Sequence, residues 1–374
     1  IPVSAAPISR HACTRGPTPI LACHSTYTLL QGRKRDSNST LSALYLAAKT
    51  ETVPISHADR SLDEQSSRFD NQRAERYHRN LSWQTFTERT YMIDDGLLDE
   101  VTAPARYIGC EHNMVEKDPT SVALRFVLCY PDVYEVGTSH LGSHILYHTL
   151  NTRSDTYCER AYHPWPDAVE ALKRRGLALS SLETGTPLRE FHIVGVTLQY
   201  ELNYAGVLSL LELGAVNLRA TDRRYDDPIV LGGGPCTTNP EPLAPFFDAM
   251  VIGDGEEVIH EIMDLVGDHR PPFASGEARA EFLGELSQIN GVYVPALWPT
   301  ARIGGLLIPQ TSEAPARRAV RRRIVENLDA APYPTSPVVP YREAIHDRAQ
   351  IEISRGCTRG CRFCQAGSIY RPVR

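Results

Sequence analysis

No stretch of this 374-residue chain is apolar for long enough to span a bilayer. The best early candidate, Leu41-Ser-Ala-Leu-Tyr-Leu-Ala-Ala48, is too short, and its surroundings do not make a signal peptide. Positive charge is also scarce. Lys and Arg total 39 against 45 Asp and Glu, and the net charge of -6 provides no global field to attract nucleic acid. Glycine is plentiful, yet no Gly-rich turn is followed by the Lys-Ser/Thr of a phosphate loop and none reads G-x-G-x-x-G. Nine cysteines are an odd number, and six of them (Cys13, Cys23, Cys110, Cys129, Cys158 and Cys236) are scattered. In a chain this long that pattern argues against a disulfide framework as the organising device and makes a reducing cytosol the expected location. The first residue is Ile1 rather than Met, so either the true start is missing or upstream sequence is included.

What is present falls into four stretches. Residues 1–96 are rich in Ser, Thr, Arg and Pro with little sustained apolar periodicity, and read as a disordered or non-native extension with one short helix near 41–49. A targeting peptide is the alternative, opposed by Glu51, Asp59, Asp63 and Glu64. Residues 97–268 alternate strand-length apolar runs with amphipathic segments. The strands are expected at 122–130, 191–198, 228–234 and 249–255, and the helices at 139–150, 167–175, 204–213 and 256–266. Such alternation predicts a doubly wound parallel α/β sheet covered on both faces, with ligands at the carboxyl ends of its strands. Three glycine turns fall at that edge: Gly137 to Gly142, Gly232-Gly233-Gly234, and Gly253 to Gly255. Residues 269–340 form a connecting segment with a helix at 277–286, short strands at 291–295 and 303–308, and a Pro-rich linker from Pro332 to Pro340. Its basic run, Arg317, Arg318, Arg321, Arg322 and Arg323, reads as a solvated face or as a contact for a phosphate-bearing substrate, without the interleaved aromatics of a nucleic-acid platform.

Residues 341–374 carry the most specific signal. Cys357, Cys361 and Cys364 form a C-x3-C-x2-C run just after a strand expected at Gln350–Ser354. Three thiolates at that spacing can hold three irons of a four-iron four-sulfur cluster and leave the fourth open to a substrate, whereas most cluster proteins close all four positions with cysteine. Zinc is the alternative, but it wants a fourth ligand and usually shows paired cysteines. No fourth Cys follows within residues 365–374, which leaves a ligand beyond Arg374 open, and the nearest His, His346, lies eleven residues upstream. Arg355, Arg359 and Arg362 put positive charge beside the thiols, either favouring thiolate or forming ordinary ion pairs.

This run closely resembles the radical S-adenosylmethionine signature, including the aromatic Phe363 before the third cysteine. The middle region resembles the cobalamin-binding domain that precedes the barrel in one branch of that family, through Tyr130-Pro-Asp-Val-Tyr-Glu-Val-Gly137, Leu231-Gly-Gly-Gly-Pro235 and Gly253-Asp-Gly-Glu-Glu257 among others. The resemblance implies the start of a (β/α) barrel, with Cys357, Cys361 and Cys364 as cluster ligands and S-adenosylmethionine on the open iron. It also implies reductive cleavage to a 5′-deoxyadenosyl radical, and an electron donor such as flavodoxin or ferredoxin. Cobalamin would carry a methyl group, gate the radical or bind the substrate. Its expected contacts are His140, Gly232, Gly233, Gly234, Gly253 and Gly255. The family's cobalamin motif, D-x-H-x-x-G, is broken around His140, with Thr138 in place of Asp and Ser143 in place of Gly. Axial ligation by His140 would thus lack its supporting carboxylate, and a helix-terminal hydrogen bond is the competing role. Most of the barrel is expected beyond Arg374, so residues 1–374 alone are not expected to turn over. A non-catalytic cobalamin or cluster sensor and a zinc-stabilised interaction module remain as alternatives from other classes.

Overall fold

The computed structural model describes residues 95–310, 319–346 and 348–374. The expected extension over 1–96, with its helix near 41–49, lies almost wholly outside them, as do Arg317 and Arg318. Six strands form one sheet: β1 Leu124–Tyr130, β2 Thr156–Tyr162, β3 Ile193–Thr197, β4 Ile229–Gly233, β5 Ala249–Val251 and β6 Val292–Tyr293, in the order β2-β1-β3-β4-β5-β6. The first five are mutually parallel and β6 is antiparallel to β5. Among the described residues five helices exceed two turns: α1 Leu141–Asn151, α2 Pro166–Arg175, α3 Tyr204–Leu213, α4 Val258–His269 and α5 Gly276–Leu286. None of the described helices is long and apolar enough to cross a membrane.

The strands are apolar on both faces because both faces are covered. Leu124, Phe126 and Leu128 of β1, Ile229 and Leu231 of β4, and Ala249 and Val251 of β5 share a buried cluster with α1, α4 and α5. The intervening residues Val127, Cys129, Val194, Val196, Val230 and Met250 share the opposite cluster with α2 and α3. The helix ends follow local rules. Pro166 and Asp167 open α2, Lys173, Arg174 and Arg175 close it where the dipole favours cations, and Gly176 caps it in the left-handed region at φ +66°.

Three sequence expectations are corrected. The edge strand β2 was not anticipated. Its Glu159 and Arg160 interrupt the apolar run, yet both are buried against partners. The segment expected as one strand at 303–308 is the turn and second arm of a hairpin, β7 Thr300–Ile303 and β8 Leu306–Pro309, because Gly304 and Gly305 both take positive φ. Gln350–Ser354, expected as the first barrel strand, is not a strand. Among the described residues no strand pairs with it, and Ile351 and Ile353 are 77% and 91% exposed. The connecting segment also contributes more than linkage, since β6 completes the sheet and α5 packs into its core.

Candidate functional site

The chain runs from β1 outward to β2 and then back past β1 to β3, so the strand order reverses between β1 and β3. The helices that follow those strands leave on opposite faces, and a crevice opens at the carboxyl ends. Here it is a cavity of about 340 Å³. Phe126, Leu128, Leu231 and Val251 give it an apolar floor, and Ile145 and Ile259 add helical walls. Gly195 in β3 makes room for this floor, because a Cβ there would lie 2.3 Å from the Phe126 ring.

The three glycine turns meet at this cavity. Gly142, Gly232, Gly233, Gly234, Gly253 and Gly255 all line it, together with His140. Gly253 must be glycine on two counts. Its φ is +116°, and a Cβ would sit 2.1 Å from the Arg323 carbonyl oxygen. That close approach lets residues 323–325 run beside the turn. Asp254 N–H donates to Arg323 O at 3.0 Å, and Val325 N–H donates to the Asp254 carboxylate at 2.9 Å.

His140 takes the helix-terminal role. Its Nδ1 accepts from Ser143 N–H at 3.1 Å and lies 2.8 Å from Ser143 Oγ, capping α1. Burial holds its pKa down to about 4, partly opposed by a bond with Gln199. The ring is therefore neutral at pH 7, and an accepting Nδ1 leaves the proton on Nε2. A metal-bound imidazole has the reverse arrangement, with its distal nitrogen donating to a carboxylate or carbonyl. The departures at Thr138 and Ser143 thus have a consequence: Ser143 occupies the nitrogen that a supporting acceptor would need.

This protonation state has a measurable cost. The folded pKa of about 4 lies below the ordinary 6.5. The unfolded chain therefore takes up the proton first, and stability falls as pH drops through that window. His140→Asn keeps an N-cap acceptor but removes the titration. Between pH 7 and about 5, wild type should lose about 2 kcal/mol more than the variant in urea unfolding. Parallel slopes for the two proteins would show that the imidazole is not held neutral.

Thr197, at the end of β3, was not singled out from the sequence. It is buried at the cavity edge, and its Oγ1 has no hydrogen-bond partner among the described residues. A buried hydroxyl left unsatisfied costs about 1–3 kcal/mol, so a ligand group reaching it would recover that loss.

The remaining wall comes from the far end of the chain: Glu352, Arg355 and Tyr370. Arg355 is not free to balance charge on the cysteines. Its guanidinium pairs with Glu256 at 2.7 Å, Glu352 at 2.8 Å and Asp254 at 3.4 Å. Beyond it, Cys357 is half-buried and Cys361 and Cys364 are exposed. Arg359 N–H points at Cys357 Sγ from 3.4 Å, and Cys364 N–H donates to Cys361 O at 3.1 Å. Among the described residues, no three His, Cys, Asp or Glu side chains are gathered at metal-binding separation, and the three thiols stand apart. The donor set nonetheless suits an iron–sulfur cluster by type, being three accessible thiols on one loop. In the basic run, Arg322 and Arg323 are likewise committed, to Asp254 and to Glu257 and Glu261.

A family described as radical SAM proteins, N-terminal, matches residues 142–295, which run from α1 through β6 and stop short of the cysteines. The chain is 24% identical over 252 residues to an uncharacterized protein of Methanocaldococcus jannaschii, covering 66% of this chain and 42% of that protein. It therefore spans about two fifths of the length of that relative. No solved structure matches. The family match supports a radical S-adenosylmethionine type of protein with an α/β region ahead of its cysteine loop.

Proposed function

We propose that this chain carries the ligand-binding α/β domain and the cluster loop of a radical S-adenosylmethionine enzyme, and that its cavity takes cobalamin without a protein ligand to cobalt. The observation that carries this reading is the shared wall. Residues flanking the cysteine run close the same cavity that the carboxyl ends of the parallel strands open. Cys357, Cys361 and Cys364 would hold the cluster, and the exposure of the last two leaves the loop open to a donor such as flavodoxin or ferredoxin. When bound, the cluster and S-adenosylmethionine would supply one-electron chemistry on an unreactive carbon, and cobalamin a transferable methyl group.

The chain's own residues have the complementary tasks of binding, orienting and excluding water. Phe126, Leu128 and Leu231 keep water from the cavity floor, while the Gly232–Gly234 and Gly253–Gly255 turns bring backbone to its rim. Thr197 Oγ1 offers an unsatisfied buried hydroxyl at its edge. A volume of about 340 Å³ is that of a small-molecule pocket and accepts only part of a molecule as large as cobalamin.

The test is to mix the full chain anaerobically with cob(II)alamin and record its electron paramagnetic resonance spectrum. A bound base-off signal without nitrogen splitting is expected, because His140 Nδ1 is occupied and Nε2 is protonated. Nitrogen splitting would overturn that tautomer and restore His140 as a ligand. Absence of binding would remove cobalamin and leave the cavity to the substrate.

A further inference from the structure

We propose that Asp254 is the positioning residue of the cysteine loop, a single buried anion on which both feet of the loop close. The loop from Gly356 to Val373 is pinched at its base. Arg355 N–H donates to Arg374 O at 3.0 Å, and Arg374 N–H returns the bond to Arg355 O at 2.9 Å. Both side chains then reach the same carboxylate, Arg374 at 2.9 Å and Arg355 at 3.4 Å, and Arg322 adds a third guanidinium at 3.7 Å. The Arg374 contact is electrostatic rather than directional, since its N–H groups are not aligned as hydrogen bonds.

Asp254 can serve as such a seat because it is itself fixed. It is buried, its carboxylate receives Val325 N–H, and its own N–H is bound to Arg323 O. Glu256 and Glu352 each hold Arg355 alone. Asp254 differs in receiving both feet of the loop, and it lies in the turn that borders the cavity. Withdrawing its charge leaves three guanidiniums converging with no shared anion, which opposes closure of the base. Seating the loop and walling the cavity are then one event. Naming the loop a cluster loop rests on the proposed function, whereas the clamp itself does not.

Asp254→Asn in the full chain keeps the size of the side chain and an oxygen for Val325 N–H. Hydrogen exchange of amides in 356–373 should rise about tenfold or more, while amides of β1, β3 and β4 keep their protection. Arg374→Gln should act in the same direction, and adding it to Asp254→Asn should cost little more, because the two changes remove one interaction. After anaerobic reconstitution with iron and sulfide, the reduced variant should show an altered electron paramagnetic resonance spectrum, with its circular dichroism unchanged. Unchanged exchange in the loop, a rise spread evenly over the sheet, or additive effects of the two substitutions would overturn the clamp. Metal analysis of the wild type reports on the other reading alone. Zinc without iron would end the cluster assignment while the exchange data still decide the role of Asp254.

Discussion

Arg160→Ala should destabilise the fold by about 3–5 kcal/mol, a third or more of the stability of an ordinary domain. Arg160 lies in β2 and is almost fully buried with two carboxylates. Its Nε bonds Glu183 at 2.5 Å and its terminal nitrogens bond Glu111 at 2.9 and 3.3 Å. Glu183 also accepts the Arg160 backbone N–H at 2.6 Å, and Tyr134 donates to Glu111 at 3.1 Å. Removing the one cation strands two buried carboxylates, and the cost of an uncompensated charge far exceeds the worth of the pair itself. Burial already pushes the Glu183 carboxyl up to about 7, against the lowering pull of Arg160.

The pH dependence of the deficit follows. In the variant the Glu183 carboxyl loses that lowering pull, so its folded-state pKa rises further above the unfolded one. The folded variant then binds more protons than its unfolded chain, and acidification favours it relative to wild type. Urea unfolding of both proteins at pH 7 and near 5 measures this as a difference, in which the histidine contribution cancels. The gap should be largest at pH 7 and narrow on acidification. A gap below about 1 kcal/mol at pH 7, the scale of an exposed ion pair, would mean that water reaches the network.

The same residues explain what the sequence concealed. The central strands were legible because they are apolar on both faces, and the helices because their stripes end at Gly176 and Gly214. β2 was not, since Glu159 and Arg160 interrupt its apolar run and only the fold brings Arg125, Glu111 and Glu183 to them. The glycine turns could be found, because three of them at one sheet edge imply a shared rim. The acid between two of those glycines could not be assigned a role, because its partners are 68, 101 and 120 positions away in Arg322, Arg355 and Arg374. The strand expected at Gln350–Ser354 had the right alternation but, among the described residues, no partner strand, and a strand exists only in a ladder. His140 was legible as a departure: without the carboxylate and glycine of the resembled motif, a capping role remained open, and Ser143 fills it.

The second large effect concerns the cysteines. Replacing Cys357, Cys361 or Cys364 singly by Ser should reduce bound iron and sulfide to less than about a tenth of wild type after anaerobic reconstitution, because a cluster held by three thiolates keeps no spare ligand. The loop offers no substitute, since residues 356–373 contain no His, Asp or Glu and no cysteine beyond these three. Nearby carboxylates are already engaged, Glu352 and Glu256 with Arg355 and Asp254 with three arginines. Cys110, exposed but outside the loop, is the control whose replacement should leave iron unchanged. The stoichiometry separates the chemistries. A cluster requires acid-labile sulfide in step with iron and loses both together in all three variants. Zinc binding gives metal without sulfide, and uneven losses among the three would mean that the thiols do not act as one donor set. The loop seat at Asp254 sharpens the comparison, for its ion pairs need no metal. Loss of iron in a Cys361→Ser protein whose 356–373 amides stay protected would assign the thiols to the cluster and the clamp to the protein.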